Sequence, residues 1–523
     1  MQVLTSYLGD RWQAGDAAGA ATLVNPTTEA PVATASTRGL DLGAALAHAR
    51  TVGGPALRAL TFAERGALLA AMSKAIHAER DALIEIGRIN AGNTRGDAKF
   101  DVDGATGTLM YYAGLARELG ERRTLLDGEA LTLGRPGTRL QGQHVLLPRE
   151  GVALHINAFN FPAWGLAEKA ACALLAGMPV LAKPATATAW MTWHMVKVVV
   201  DAGILPPGAL ALLTGSVGDL LDHVQPADAI AFTGGAETGF AIRSHPRVLR
   251  AGVPVNIEAD SLNATVLAPD AEDATVDAFL RHLHKEMTQK AGQKCTGTRR
   301  ILVPHDLLGE VKEDLSRRLA DTLVGDPADD AVHMGPLATA GQQKSAREGL
   351  AQLQTQADVV FQGEGPLVGV EPGRGYFQRP VLLQARDPHA PGPVHDVEVF
   401  GPVATLLPYD GTVEEAAALV RLGQGSLVGS LYGDDRAFLR DAILALGAHH
   451  GRLVVTDAKV ADQALHPGLV MPHLTHGGPG RAGGGEEMGG KRGVLHYLQR
   501  TAIQGSPTVI TALTQQYQQG AKY

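Results

Sequence analysis

Between residues 150 and 260 the chain alternates between short apolar runs and longer segments with helical spacing. GVALHINA, PVLAKP, ALALLTG and DAIAFTG read as strands, and PAWGLAEKAACALLAG, ATAWMTWHMVKVVVDAG and SVGDLLDHV read as the helices between them. A strand, a crossover helix and a second parallel strand close with one hand only, and such sheets are covered on both faces. This pattern predicts an α/β fold with a doubly wound parallel sheet. A second alternating unit runs from 260 to about 460. At roughly 150 residues per domain, 523 residues leave room for about three domains.

The flanking segments differ in character. Residues 40–120 read as several helices, and Thr61 followed by Glu64 predicts a capping box at the start of one. Residues 120–150 break into short β-rich pieces. The tail from 465 is glycine-rich and then reads as extended, through PTVITALTQQYQQG.

Composition excludes several classes. Lys plus Arg number 46 against 54 Asp plus Glu, a formal charge of −8, and no basic block stands out. A protein that tracks nucleic-acid phosphates is excluded on that charge, and an aromatic content of 5% argues against a base-stacking surface. Two cysteines give no disulfide framework and point to a reducing compartment. The N-terminus has no basic region followed by an apolar one, and no apolar run is long enough to span a bilayer. The expectation is a cytoplasmic protein with no membrane partner.

Several motifs fail. Gly478, Gly480 and Gly483 have dinucleotide-fingerprint spacing, but no strand leads into them and no acid follows about twenty residues on, so they read as a mobile loop. Gly234 to Gly239 has P-loop spacing, yet Phe240 stands where lysine is required. His282 and His284 are two apart on a helix and point away from each other, and no metal site is expected.

Cys295 is the chemically plausible cysteine. It lies in KAGQKCTGTRR, and nearby positive charge lowers a thiol's pKa. Cys172, in AACALLAG, reads as inert core.

Seven segments then fall in order: AFNFP (158–162), LAKPAT (181–186), AFTGGAETG (231–239), IEADSLN (257–263), GQKCTGT (292–298), GDPADDAVHMGPL (325–337) and VEVFGPV (397–403). Together the chain resembles the NAD(P)-dependent aldehyde dehydrogenase superfamily from Asn25 to roughly Pro507. The resemblance implies a Rossmann-like cofactor domain (1–119 and 150–257), an α/β catalytic domain (258–464) and a small β oligomerisation element (120–149 and 490–523), in a homodimer or higher homo-oligomer. It implies Cys295 as nucleophile, Asn160 as oxyanion donor together with the Cys295 N–H, and Glu258 as the base for thioester hydrolysis. Around the cofactor it implies Ile156, Phe159, Lys183, Thr186, Gly234, Gly235, Glu398 and Phe400, and around the substrate Phe161 and Trp164. Thr186 stands where relatives that favour NAD carry a glutamate, so NADP is the expected cofactor.

Three departures narrow the resemblance. Ala259-Asp260-Ser261-Leu262 replaces the usual Leu-Gly-Gly-Lys, Phe159 replaces a tryptophan, and HGGPGRAGGGEEMGG replaces the usual C-terminal motif. All three are similar to the dehydrogenase part of phenylacetate ring-opening bifunctional proteins and to the semialdehyde dehydrogenases of the aerobic benzoyl-CoA pathway. That similarity implies a CoA-linked semialdehyde substrate, with 3,4-dehydroadipyl-CoA semialdehyde the nearest candidate. A CoA-acylating aldehyde dehydrogenase or Cys-dependent acyl transferase, and a dehydrogenase of a free aliphatic or aromatic aldehyde, are the alternatives.

Overall fold

A computed structural model of the chain describes residues 1–135 and 137–522. Two seven-stranded sheets dominate it. The first runs Val255–Glu258, Ala229–Thr233, Ala153–Ile156, Val180–Lys183 and Leu210–Leu212, all parallel. Ser6–Leu8 and Arg11–Gln13 extend it antiparallel, so the opening of the chain is an edge of this sheet. The second sheet takes Ala264–Leu267 and Arg300–Pro304 at its centre, with Ser426–Tyr432, His450–Thr456, Val403–Tyr409 and Val381–Ala385 parallel around them. Only Ala357–Gln362, at one edge, is antiparallel. The α/β expectation holds.

Local chemistry accounts for the elements that carry the site. Every residue of Ala153–Ile156 is buried, as a strand covered on both faces requires. The alanine-rich helix Trp164–Ala176 packs into the main core and stops at Gly177, whose φ of 93° suits glycine. The helix Phe62–Ala78 has the predicted capping box: Thr61 accepts from the Glu64 N–H, and Glu64 accepts from the Thr61 N–H.

A separate antiparallel sheet joins Leu125–Thr132, Gln141–Pro148 and Leu498–Gly505. The extended reading of the tail holds for that last strand and fails beyond it. Pro507–Thr514 is a helix, because Ser506 caps it by accepting from the Val509 N–H and Pro507 fits its first turn.

The glycine-rich segment is not a mobile loop. Thr475–Gly477 and Glu486–Met488 pair antiparallel, with a short turn of helix at Gly480–Ala482 between them. A Cβ on Gly478 would sit 2.3 Å from the Ser426 carbonyl, and one on Gly483 would sit 2.3 Å from that of Ile257. The glycines let this hairpin lie against the end of the strand that carries Glu258. Among the described residues no helix is long and apolar enough to cross a membrane.

Candidate active site

The C-terminal edge of the first sheet ends at Ile156, Lys183, Thr233 and Glu258. From there the chain crosses at 259–263 into the second sheet. The segment that carries Cys295 leads into Arg300–Pro304 of that second sheet. The site therefore lies where the two sheets meet, at the strand ends that bind ligands in doubly wound folds.

The segment that carries Cys295 is held in a strained backbone. Lys290, Ala291 and Gly292 have φ of 53°, 52° and 69° in succession, and a Cβ on Gly292 would meet the Gly401 carbonyl at 2.3 Å. Asn263 Nδ2 donates to the carbonyls of Cys295 (2.8 Å) and Gly297 (2.9 Å). Arg299 donates to the carbonyls of Gly401, Gly292 and Lys294. Asn160 Nδ2 donates to the Gln293 carbonyl at 3.1 Å, which leaves its second N–H free to point elsewhere.

The cations around Cys295 do not activate it in the way the sequence suggests. Lys294 Nζ pairs with Glu286 Oε1 at 2.9 Å, and Lys290 Nζ lies over the Phe161 ring, 4.0 Å from Asp101. Burial, with Glu258 adjacent, pushes the Cys295 thiol well above its ordinary value. The resting group is a thiol and needs a base. Burial also pushes Cys172 up, to about 12, consistent with inert core.

Glu258 and His476 supply the ionisable neighbours. His476 Nε2 lies 3.7 Å from Cys295 Sγ and 3.0 Å from Glu258 Oε1, the latter an ion-pair distance without hydrogen-bond alignment. Thr233 Oγ1 lies 3.4 Å from the other Glu258 oxygen. Burial opposes ionisation of Glu258, but His476 and Lys169 outweigh it and hold the carboxyl down to about 2. Burial likewise opposes protonation of His476, and Glu258 outweighs it, so the imidazole is raised. Beyond them Lys169 Nζ sits 2.7 Å from Glu168 and 3.0 Å from Glu487.

His476, Lys169, Glu487 and Thr233 escape sequence reasoning. His476 and Glu487 both belong to the glycine-rich hairpin, paired with each other across it. The usable signal was two acids and a histidine inside a glycine run whose backbone had to pack closely.

Three cavities adjoin. A cleft of about 500 Å³ is lined by Ile156, Phe159, Lys183, Gly234, Gly235, Glu398 and Phe400, and reaches Asn160 and Cys295. Thr186 is not part of its lining, and the Thr186 hydroxyl donates to the Gly215 carbonyl at 2.8 Å. Phe159 and Phe400 meet edge-on at 5.7 Å. The Ala236 N–H, at the helix start after Gly235, donates to Asp260 Oδ1 at 3.0 Å. Burial pushes the Glu398 carboxyl up to about 7 against the pull of Arg299, and its Oε1 is buried without a hydrogen-bond partner. An unpartnered acceptor, a half-buried lysine and a glycine turn at a helix start fit the hydroxyl and phosphate groups of a dinucleotide.

Next to the cleft, a cavity of about 40 Å³ holds Cys295, Glu258, Asn160, Thr233 and His476. Phe161 and Trp164 also line it, and Trp164 and Val470 separate it from an apolar vestibule of about 470 Å³. Phe100, Phe161 and Trp164 stack edge-on along that partition. Lys99 and Lys285 line the vestibule and are exposed.

Comparison with known proteins agrees with this geometry. Residues 12–503 match the model of the aldehyde dehydrogenase family. The chain is 46% identical over 480 residues to a 3,4-dehydroadipyl-CoA semialdehyde dehydrogenase of Aromatoleum evansii, covering 91% of this chain and 93% of that one. It is 27% identical to an α-ketoglutaric semialdehyde dehydrogenase of Bacillus subtilis, over 79% of this chain and 82% of that one. Among solved structures, PnpE in complex with nicotinamide adenine dinucleotide superposes with a TM-score of 0.84 at 23% identity, covering 97% of this chain and 98% of that one. A betaine aldehyde dehydrogenase variant of Staphylococcus aureus, in complex with NAD+, gives 0.81 at 22%, covering 97% and 98%.

Proposed function

Because the chain belongs to the aldehyde dehydrogenase family, we propose that it oxidises a CoA-linked semialdehyde to the free acid through a thioester on Cys295. The observation that carries this reading is the meeting of Cys295, Glu258 and Asn160 in a small cavity between a dinucleotide-sized cleft and an apolar vestibule.

The steps follow from the groups present. The Cys295 thiol gives up its proton to solvent, and the sulfur attacks the aldehyde carbon. The carbonyl electron pair moves to oxygen, where the free N–H of Asn160 donates to it; a donor so placed contributes about 2.7–4 kcal/mol in the transition state. The nicotinamide, when bound in the cleft, supplies the acceptor for the hydride. The ionised Glu258 then accepts a proton from the water that cleaves the thioester. Ile156, Phe159 and Phe400 shape the nicotinamide end of the cleft, and Glu398 accepts from ribose.

The CoA-linked substrate is supported by the Aromatoleum evansii relative. The vestibule supports it too: its apolar walls suit an acyl chain, and Lys99 and Lys285 suit phosphate. NADP is the preferred cofactor in this reading, because no carboxylate stands at 186 to repel a 2′-phosphate and Lys183 offers the opposite charge. The cofactor domain comprises 1–119 and 150–257, the catalytic domain 258–464, and the three-stranded sheet with its helix forms a homo-oligomer contact. The protein acts in the cytoplasm on a small molecule.

The test is a screen of CoA-linked and free semialdehydes that follows reduced cofactor, with and without added CoA. The proposal expects CoA-linked semialdehydes to give the highest kcat/KM and turnover to need no free CoA. A requirement for free CoA would favour the acyl-transferase alternative.

A further inference from the structure

The Cys295–His476–Glu258 cluster has the donor set and spacing of a metal site. Sulfur, imidazole nitrogen and carboxylate oxygen all lie within 4.8 Å of one another. A tetrahedral zinc with bonds of about 2.3 Å to sulfur and about 2.0–2.1 Å to nitrogen and oxygen places S and N about 3.5 Å apart and N and O about 3.4 Å apart. The observed separations are 3.7 Å and 3.0 Å. Three protein ligands leave a fourth position, which opens on the cavity lined by Asn160 and Thr233.

A second carboxylate cluster lies alongside and does not compete. Glu168, Glu258 and Glu487 also approach one another within 4.8 Å, but the Lys169 ammonium already sits against Glu168 and Glu487. On the Cys295 side the partner of the Glu258 carboxylate, His476, is itself one of the donors, and a thiolate with an imidazole selects a borderline-soft ion over magnesium or calcium.

We propose that Cys295, His476 and Glu258 form a binding site for zinc or another thiophilic divalent cation, and that occupancy reversibly shuts off the enzyme. Binding forms Zn–S, Zn–N and Zn–O bonds. The thiol proton, and the proton on His476 Nε2 where the ring carries one, leave to solvent, and Glu258 enters as a carboxylate. No electron is transferred, so a chelator restores the starting state. Binding of the ion stands on the donor geometry alone, whereas the loss of turnover rests on the reading of Cys295 as nucleophile.

The experiment uses the purified full chain. Cobalt(II) is added and the thiolate-to-metal charge-transfer absorption is recorded, and the rate of Cys295 alkylation by iodoacetamide is measured with zinc, with magnesium and with zinc plus EDTA. The proposal expects a charge-transfer band, protection from alkylation by zinc but not magnesium, and full recovery with EDTA. It also expects His476→Gln, which removes a direct ligand, to raise the zinc concentration for half-protection by at least about tenfold, the loss already given by removing an outer-shell partner, and Cys172→Ala to leave it unchanged. No cobalt band in the native protein, or equal zinc protection in His476→Gln, overturns the proposal. If His476→Gln does not fold, the native cobalt band and the magnesium comparison decide it alone. A cobalt band with undiminished turnover would instead overturn Cys295 as nucleophile while leaving the metal site standing.

Discussion

Lys294 Nζ lies 2.9 Å from Glu286 Oε1, and both side chains are fully buried. The same carboxylate oxygen accepts from the Gly468 N–H at 2.9 Å and pairs with His466 Nδ1 at 2.7 Å. One acid on the helix Asp273–Thr288 thus anchors the residue before Cys295 and the turn that walls the cavity around it.

Glu286→Gln leaves the Lys294 ammonium buried without its counter-charge. Breaking a buried pair by removing one partner costs about 3–5 kcal/mol. Chemical denaturation is expected to show a loss of that size, and a loss under about 1 kcal/mol would mean the pair does not anchor the segment.

Cys295→Ala is expected to abolish dehydrogenase turnover while the thermal shift given by bound cofactor stays as in the native protein. Cys172→Ala is expected to keep its activity, because that thiol is buried and inert. Steady-state rates of both variants check the assignment. Turnover near the native rate in Cys295→Ala would refute it.

In the proposed reading cofactor choice turns on position 186. The native protein is expected to favour NADP over NAD in kcat/KM, and Thr186→Glu to lower that preference by about ten- to a hundredfold, the effect of about 1.5–3 kcal/mol of charge repulsion and lost pairing. The Thr186 hydroxyl already donates to Gly215, so the preference rests on the absent carboxylate and on Lys183 rather than on a bond from Thr186. Equal use of NAD, or a ratio unmoved by Thr186→Glu, would contradict this.

Asp260 holds a negative charge at the helix start where a cofactor phosphate would lie. Asp260→Asn is expected to tighten cofactor binding by about two- to fivefold, the usual size of a charge effect at a helix terminus. In the proposed site Glu398 accepts from ribose more strongly when ionised, so affinity should rise with pH through about 7. Asp260 helps to raise the Glu398 carboxyl, so that limb should move to lower pH in the variant. Titration calorimetry across pH 6 to 8.5 (about that range suffices for a carboxyl near 7) measures both effects.

The sequence made the sheets legible, because strands buried on both faces are continuous apolar runs. Cys295, Glu258 and Asn160 were singled out together by the resemblance to a family, and they line one cavity. His476 and Glu487 were not legible, since their meaning lies in contacts with Cys295, 181 residues away, and with Lys169. The glycines around them looked like a failed fingerprint because close backbone packing leaves no periodic signal. The lysines beside Cys295 misled for a related reason: their partners Glu286 and Asp101 come from other elements, so proximity in sequence did not mean charge at the thiol.

Glu258→Gln separates the two halves of the reaction and tests the account most directly. The variant is mixed with a CoA-linked semialdehyde and NADP, reduced cofactor is followed from the first turnover, and the intact protein is then weighed. Hydride transfer without hydrolysis predicts a burst of about one equivalent of reduced cofactor per chain, slow turnover after it, and an acyl adduct that maps to Cys295. No burst, or an adduct on a residue other than Cys295, would contradict the account.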